Sequence, residues 1–321
     1  MATFFGPWNL GKLISDTFNV YFKKWLYYIA IVAPFVVITT LISWSFLTVS
    51  RGTEWLPGFY WPSGWDWNSL YRAIGFGLLG AIIAIVIEVL MNNTLIHAVG
   101  QHYSTEATSL SKAFSAALKK LITVILASLL RGIILFALCI TLIGIPVAIY
   151  LVVKWIFVTH VILFEGKGVT ESLSRSAEIT KDNWWRLVAY VIIVAIIAGI
   201  ISSICGLIIP AVGTFDLGLM VGSIIAAPIT IIATTLMYFT MRVEKEKYNV
   251  AQLQADMDGW NTDKKPDYST VPNAAGYCPH CGAERTEGAR FCSKCGKEYE
   301  ASAAPETAPE PDTGTGDKGP D

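Results

Sequence analysis

The sequence predicts an all-α polytopic membrane protein of about six transmembrane helices, followed by a small cysteine-rich module. Three observations carry this prediction. Hydrophobic residues make up 53% of the 321 residues and charged residues 15%, with a mean hydropathy of +0.50, which is too apolar for an ordinary soluble protein. Long apolar segments occupy residues 1–241, and four cysteines follow in the run CPHCGAERTEGARFCSKCG.

Six apolar segments are long enough to be spans, since a helix needs about 20 apolar residues to cross the hydrocarbon core. They lie at residues 26–48, 73–97, 121–142, 145–164, 187–209 and 217–241. The fourth is the weakest because Lys154 interrupts it. The turn between the third and fourth is so short that these two spans must form a tight hairpin. Losing that hairpin would leave four spans and the same placement of the termini.

Positive charge is distributed unevenly between the two sets of connecting segments. Up to residue 247, thirteen Lys and Arg residues fall in the set that contains the termini, and only Arg51 and Arg72 fall in the other. The positive-inside rule therefore predicts a multi-pass protein of the cell membrane with both termini in the cytoplasm. The four clustered cysteines agree, because thiolates survive as metal ligands more readily in a reducing compartment.

An amphipathic stretch precedes each odd-numbered span. The three stretches read LISDTFNVYFKKWLYYIAI, LSKAFSAALKKLITVIL and LSRSAEITKDNWWRLVAYVI. Each ends in basic or Trp residues and runs directly into an apolar span. Helices of this kind lie in the headgroup plane, so we expect three interfacial helices on the cytoplasmic face. Two explanations remain open, a triplicated unit and a shared pattern of membrane insertion.

One stretch, ILFEGKGVTESLSRSAEITKDNWWRLVAYVIIVAII, resembles the glycerophosphoryl diester phosphodiesterase membrane-domain family. The matching positions are Glu165, Gly166, Arg175, Ser176, Thr180, Trp185 and Arg186. The resemblance implies a six-span membrane body over residues 1–241. Some members of the family precede a catalytic phosphodiesterase barrel, but the 80 residues after position 241 are too few for a barrel of about 250 residues. The resemblance therefore implies no phosphodiesterase activity in this chain.

Cys278, Cys281, Cys292 and Cys295 form two C-x2-C pairs separated by ten residues. This spacing lets two tight turns present four thiolates to one tetrahedral Zn²⁺. Four thiolates close the coordination shell, so we expect a single structural zinc. Residues 276–300 also resemble the short zinc-ribbon family, with the knuckles CPHCG and FCSKCG. A unit of this size has almost no core and depends on its metal to fold.

The charge of the ribbon bears on its partner. Within residues 276–300 four Lys and Arg residues are balanced by four Glu residues, whereas nucleic-acid binding needs a basic surface. The balanced charge argues against nucleic acid as the ribbon's partner and favours a cytosolic protein. Residues 242–275 are expected to begin as a charged helix that continues the last span and then to become a flexible linker. The acidic tail, residues 301–321, is predicted to be disordered.

Three ionisable residues fall inside predicted spans: Glu88, Arg131 and Lys154. A charge at mid-depth costs about 2.5–3.5 kcal/mol on insertion scales, so such groups usually face the bundle and pair. Counted from the inner ends of their spans, Glu88 and Arg131 lie within about 2 Å in depth. We therefore expect a Glu88–Arg131 pair, which either fixes helix packing or lines a polar pathway. His97, His102 and His160 are interpreted as interfacial residues.

The sequence contains no H-E-x-x-H, G-x-S-x-G or Walker A pattern. We therefore predict a non-enzymatic membrane protein with an organising, sensing or regulatory role, whose zinc ribbon is a protein-interaction module. The alternative is a transporter or channel-like body for a small solute, ion or lipid, regulated by the ribbon. A lipid-modifying enzyme is a third class, without identified catalytic residues. The sequence leaves the oligomeric state open.

Overall fold

The computed structural model describes residues 9–50, 67–104, 109–209, 216–246, 248, 250–262 and 291. These residues form eleven α-helices: α1 (Leu10–Lys23), α2 (Trp25–Ser50), α3 (Trp67–Ser104), α4 (Leu110–Lys119), α5 (Leu121–Cys139), α6 (Gly144–Lys154), α7 (Val158–Phe164), α8 (Val169–Thr180), α9 (Trp184–Ile208), α10 (Leu217–Glu246) and α11 (Val250–Thr262). The predicted all-α class is confirmed.

Six helical stretches of the described chain are long and apolar enough to cross a membrane. They are Trp25–Trp44, Gly77–Ser104, Leu121–Cys139, Gly144–Phe164, Trp184–Ile208 and Leu217–Glu246. These stretches agree with the predicted spans to within a few residues at most ends. The largest difference is that the second and sixth stretches continue beyond the predicted ends at residues 97 and 241.

The extra length of α3 and α10 builds one end of the molecule. With 38 and 30 residues, these helices are about 57 and 45 Å long, well beyond the hydrocarbon thickness of about 30 Å. Between them, these two helices contact α1, α4, α7, α8 and α11. We call this region the charged end, because it contains the ion pairs of Arg175 and Arg242.

The three predicted amphipathic stretches each contain a separate helix, α1, α4 and α8. The breaks fall at basic residues: Lys24 separates α1 from α2, and Lys120 separates α4 from α5. Both residues leave helical geometry, with φ/ψ of −138°/38° and −98°/2°. Asn9 is the N-cap of α1: its side-chain oxygen accepts a hydrogen bond from the Lys12 amide at 3.1 Å.

The fourth predicted span is divided into two helices. α6 ends at Lys154, the residue that weakened this span in the sequence, and α7 begins at Val158. In the intervening turn the Ile156 amide donates to the Val153 carbonyl oxygen at 3.4 Å, and the Val158 amide donates to that of Trp155 at 3.3 Å. These three-residue hydrogen bonds replace the regular α-helical ladder, so some backbone groups at the break need partners elsewhere.

The buried core lies mainly at the charged end. Its largest fully buried side chains are Trp260, Tyr28, Tyr190, Tyr238, Phe157, Phe164 and Phe239. Away from this end the helices keep many apolar side chains exposed, as lipid-facing helices do. α9 and α10 still pack closely there: a Cβ added to Gly218 would lie 2.6 Å from the Cys205 carbonyl oxygen, and one added to Gly222 would lie 2.7 Å from Ser202 Cα. Small residues thus allow the two backbones to approach.

Candidate functional site

The turn between α7 and α8 brings together Glu165 and Arg175, two of the positions that carried the family resemblance in the sequence. We call those seven positions the recognised motif. Glu165 follows α7, and Gly166 has a φ of 64°, a left-handed conformation that suits glycine. The chain reverses here, and α8 packs back along α7. Arg175 on α8 then donates from Nε to Glu165 Oε2 at 2.9 Å. The side chain of Glu165 is only 7% exposed, so this is a shielded ion pair.

Arg175 is a junction between several carboxylates. Its Nη1 donates to Glu178 Oε2 at 3.0 Å, and its Nη2 donates to Glu246 Oε1 at the end of α10. Burial lowers the pKa of Arg175, but its carboxylate partners, Glu165 first among them, outweigh burial and leave the pKa above its ordinary value. Arg175 therefore remains a cation that ties α8 to α7 and α10.

A second arginine extends this arrangement to α11. Arg242 is 6% exposed, and its Nη1 donates to Asp256 Oδ2 at 2.9 Å. Its Nε donates to Glu246 Oε2 at 3.1 Å, so Glu246 bridges the two arginines. We call the set Glu165, Arg175, Arg242, Glu246 and Asp256 the arginine network. Three carboxylates and two guanidinium groups pair within it, which is how buried charges are tolerated.

Two tyrosines complete the arginine network with hydroxyl donors. Tyr238 donates to Glu165 Oε1 at 3.0 Å, and Tyr248 donates to Asp256 Oδ2. The ring of Tyr248 also lies 3.8 Å from the Arg242 guanidinium carbon, a cation–π contact. Burial, followed by the nearby Asp256 carboxylate, raises the pKa of Tyr248 well above its ordinary value. Tyr248 therefore stays protonated and acts as a donor.

α11 is held in the charged end by apolar contacts as well. Its Leu253, Met257 and Trp260 are 0%, 4% and 2% exposed. The Trp260 indole donates from Nε1 to the carbonyl oxygen of Ala116 on α4 at 2.9 Å, and its ring centroid lies 4.4 Å from that of His97 on α3. α11 thus contacts α3, α4 and α7 while Asp256 binds α10.

Side chains of α8 and α5 satisfy the break between α6 and α7. Ser176 Oγ donates to the Lys154 carbonyl oxygen at 2.8 Å and accepts from the Phe157 amide at 3.2 Å. Thr180 Oγ1 adds a second donor to the Lys154 carbonyl oxygen at 3.4 Å. Arg131 Nη1 on α5 donates to the Trp155 carbonyl oxygen, also at 3.4 Å. Ser176 and Thr180 belong to the recognised motif, and this clamp gives them a structural role.

The three predicted intramembrane charges lie in two different places. Arg131 and Lys154 both lie at the α6–α7 break, where Arg131 binds the Trp155 carbonyl oxygen and the Lys154 ammonium lies 4.8 Å from the Tyr150 ring centroid. Glu88 is exposed on α3, and the described residues contain no ion pair between Glu88 and Arg131. The membrane depth of Arg131 was counted from the first residue of α5, which assumes that this helix crosses the bilayer straight from that residue. α5 instead contacts α7 and α8, which places Arg131 level with Trp155.

Two histidines interpreted as interfacial are buried instead. His97 and His160 are 0% and 4% exposed. His97 contacts Trp260, and His160 Nε2 lies 3.2 Å from Thr235 Oγ1 on α10. Sequence position near a span end does not reveal burial here, because α11 and the last turns of α10 cover these side chains.

Sequence reasoning missed Tyr238, Arg242, Tyr248 and Asp256. One signal was available: Leu253, Met257 and Trp260 follow the i, i+4, i+7 spacing of an apolar helix face. This face is compatible with a docked helix in the region that we interpreted as a linker. The burial of Asp256 has no comparable signal, because an acidic residue in a charged segment is usually solvated.

The predicted metal ligands, Cys278, Cys281, Cys292 and Cys295, lie outside the described residues, as does the tail 301–321. Within the described part of the chain no group of three or more His, Cys, Asp or Glu residues is suited to hold a metal ion. The ribbon contributes one described residue, Phe291, which immediately precedes Cys292 and is 54% exposed.

Two parts of the chain match known protein families. Residues 125–266 match the membrane domain of glycerophosphoryl diester phosphodiesterase, and residues 277–298 match a zinc-ribbon domain. No curated protein and no solved structure matches the chain. The first match includes the α6–α7 break, the arginine network and α11, and the second includes all four cysteines. Over these two regions the chain is therefore similar to the membrane domain of glycerophosphoryl diester phosphodiesterase and to a zinc-ribbon domain.

Proposed function

We propose that this protein is a non-enzymatic membrane scaffold that holds a zinc ribbon at the membrane surface, where the ribbon binds a cytosolic protein. The docking of α11 carries the proposal. α11 ends at Thr262, and residues 263–277 separate it from the first cysteine. Fifteen residues reach at most about 50 Å. The ribbon is therefore confined to a volume close to the charged end.

The arginine network supports a structural role over a catalytic one. A general base or nucleophile must reach a substrate. In the network, both carboxylate oxygens of Glu165 accept hydrogen bonds, and Asp256 is fully buried between Arg242 and Tyr248. These groups bind one another instead. Their pairing holds α7, α8, α10 and α11 together.

For the ribbon we propose one structural Zn²⁺ bound by Cys278, Cys281, Cys292 and Cys295. The donor set supports it, since four thiolates in two C-x2-C pairs suit tetrahedral zinc and leave no position for water. Phe291 supports a binding role, because exposed aromatic side chains often anchor protein interfaces. The balanced charge of the ribbon is consistent with a protein partner.

The scaffold proposal includes an orientation, with the charged end and both termini in the cytoplasm. Its support is the concentration of basic residues at this end, where Lys24, Lys120 and Lys181 follow α1, α4 and α8. An impermeant thiol reagent should modify Lys181→Cys in inverted vesicles and leave it unmodified in spheroplasts. The reverse pattern would place the ribbon outside the cell.

A photo-crosslinking experiment tests the scaffold itself. Phe291 is replaced in the full-length protein by benzoylphenylalanine, a photoreactive aromatic residue of similar shape, and irradiated in cells. We expect crosslinks to a defined cytosolic protein, lost when Cys278 and Cys281 are both changed to Ser and retained in Glu88→Gln. Crosslinks that persist without the zinc ligands, or none beyond background, would contradict the proposal.

A buried amide favours the transporter as a second candidate. Asn93 on α3 is 0% exposed, and neither polar atom of its side chain finds a hydrogen-bond partner among the described residues. Leaving a buried amide unpaired costs about 1–3 kcal/mol of stability. A polar ligand bound inside the bundle would supply the missing hydrogen bonds and recover this cost. Solute or lipid flux in proteoliposomes tests this candidate: loss of flux in both Asn93→Leu and Glu88→Gln, with folding intact, would support transport over scaffolding.

A further inference from the structure

The hairpin of α5 and α6 has an exposed apolar surface that extends over its tip. Phe136, Ile140, Leu142 and Ile143 are 71%, 71%, 85% and 87% exposed. Residues 140–143, which connect the two helices, contain no charged or aromatic side chain. If both helices crossed the bilayer, this tip would emerge into water on the far side. Its composition fits hydrocarbon instead.

α9 marks where the surfaces of the hydrocarbon core lie. It begins with Trp184, Trp185 and Arg186, residue types that favour the headgroup level, and continues to Ile208 without another charged residue. The 22 residues after Arg186 rise about 33 Å, which matches a core of about 30 Å. Trp184 therefore lies at one surface of the core, and Ile208 lies near the other.

α6 meets α9 at the surface marked by Trp184. Trp184 Nε1 donates to the Tyr150 carbonyl oxygen at 3.3 Å, and Pro146 lines the same shallow apolar groove as Trp184 and Trp185. Gly144, the first residue of α6, lies only six positions before Tyr150, which corresponds to a rise of about 9 Å. The tip thus ends far short of the level of Ile208.

The exposed face of α9 supports this short reach. Beyond Trp184 and Trp185, the side chains of Ile192, Ile196 and Ile200 remain 51%, 56% and 53% exposed. A neighbouring helix that crossed the bilayer in parallel would cover part of this face. The contact between α6 and α9 instead involves the first turn of α9.

We propose that α5 and α6 form a re-entrant hairpin, which enters the bilayer from the charged end, returns to the same side and leaves its tip in the hydrocarbon. Its partner is the acyl-chain region of one leaflet. The chain then crosses the membrane four times, through α2, α3, α9 and α10, and occupies extra volume in one leaflet only. The termini remain on the same side.

The hairpin also accounts for two charges that appeared costly in the sequence. Lys154 is the last residue of α6 and Arg131 binds the carbonyl oxygen of Trp155. Both lie at the base of the hairpin near the Trp184 level, where a charge costs less than at mid-depth. Tyr150, Trp155 and Trp184 around them form the aromatic belt expected at an interface.

Hydrogen bonds within the tip suit a hydrocarbon environment, in which backbone polar groups need internal partners. The Thr141 amide donates to the Leu138 carbonyl oxygen at 3.2 Å, and the Gly144 amide donates to that of Thr141 at 3.0 Å. The Thr141 hydroxyl donates to the Leu138 carbonyl oxygen at 3.2 Å. The only polar side chain of the tip is thus satisfied within the turn.

Thiol accessibility in oriented membranes distinguishes the two topologies. Leu142→Cys probes the tip, Lys181→Cys marks the charged end, and Asp216→Cys marks the opposite end before α10. Each variant is treated with an impermeant maleimide in spheroplasts and in inverted vesicles, and modification of each cysteine is read by peptide mass spectrometry, which separates the probe from native cysteines. We expect each marker to react from one side, and Leu142→Cys to react at least tenfold more slowly from both sides.

Every other outcome overturns the proposal. Reaction of Leu142→Cys from the side that labels Asp216→Cys means that the hairpin crosses the bilayer, and reaction from the side that labels Lys181→Cys means that the tip is not embedded. Shielding by protein is excluded separately, by quenching of a bimane dye on Leu142→Cys with nitroxide lipids. Nitroxides deep in the acyl chains should quench at least twofold more than headgroup nitroxides. No quenching by either, or the reverse order, rejects the hairpin.

Discussion

Arg242 and Asp256 form an ion pair that fastens α11 to the end of α10, with 2.9 Å between Nη1 and Oδ2 and side chains 6% and 0% exposed. The pair joins the last long helix to α11, the helix that precedes the ribbon in the sequence. It therefore determines whether that segment is a free linker or part of the membrane body. Because removing one partner leaves the other charge buried and unmatched, the pair is also the most sensitive point of this junction.

The first prediction concerns Asp256→Ala. Loss of the carboxylate should destabilise the charged end by about 3–5 kcal/mol, the usual cost of leaving one half of a buried ion pair unpaired, and should release α11. Hydrogen exchange of residues 250–262 in detergent measures the release. Asp258→Ala is the matched control, since Asp258 is an exposed acid on the same helix. Equal protection of α11 in both variants would show that apolar contacts alone hold it.

The second prediction concerns the clamp on the α6–α7 break. Ser176→Ala removes the acceptor of the Phe157 amide and the shorter of two donors to the Lys154 carbonyl oxygen, which should cost about 1–3 kcal/mol. Ser174→Ala is the control, because Ser174 is exposed and bonds only to its own helix. Thermal unfolding in detergent should separate the two variants. A Ser176→Ala variant as stable as the control would mean that the break needs no clamp.

Hydropathy was enough to predict the long helices, since the length of an apolar run directly reflects the bilayer thickness. It also located the weak point at Lys154, where the structure divides the span. It failed for Arg131, because counting residues from a span end assumes a straight, perpendicular helix. α5 contacts α7 and α8 instead, so depth along the chain does not equal depth in the membrane.

The charged end was harder to predict because it depends on contacts between distant segments. Glu165 and Arg175 appeared in the recognised motif, yet the two residues that complete their network, Arg242 and Glu246, are about 70 residues away. No periodicity connects such positions. The face formed by Leu253, Met257 and Trp260 was detectable, but a short amphipathic segment after a charged helix is equally typical of a solvated linker.

The third prediction concerns pH and Asp16 on α1. Burial raises the pKa of Asp16 above 3.8, with Lys12 acting weakly in the opposite direction. The folded state therefore binds this proton more tightly than the unfolded state, and its stabilising contribution is present at low pH and is lost as the pH rises through the folded pKa. Asp16→Asn should increase stability at neutral pH, with a gain that disappears below pH 3.8. A gain independent of pH would contradict this reasoning.

The fourth prediction concerns the tight turn before α6. A Cβ on Gly144 would lie 2.0 Å from the Leu138 carbonyl oxygen, whereas one on Gly132 meets nothing within 4 Å. Gly144→Ala should therefore distort the hairpin and lower the unfolding temperature. Gly132→Ala should be neutral or stabilising by up to about 1 kcal/mol, since alanine favours helix. The two variants share one hairpin and one chemical change, so a similar effect of both would argue against the turn geometry.

The last prediction concerns the metal and its independence from the membrane body. Purified protein should contain one zinc per chain by elemental analysis, because the only four-thiol cluster in the sequence is Cys278, Cys281, Cys292 and Cys295. Changing Cys278 and Cys281 to Ser should abolish the zinc, since two remaining thiolates cannot hold a structural site at neutral pH. Thermal unfolding of the helical body should be unchanged, because the described contacts that hold α11 arise from α3, α4 and α7 and from Arg242 on α10. Zinc retained in the double variant would place the metal elsewhere, and a destabilised body would show that the ribbon also supports the charged end.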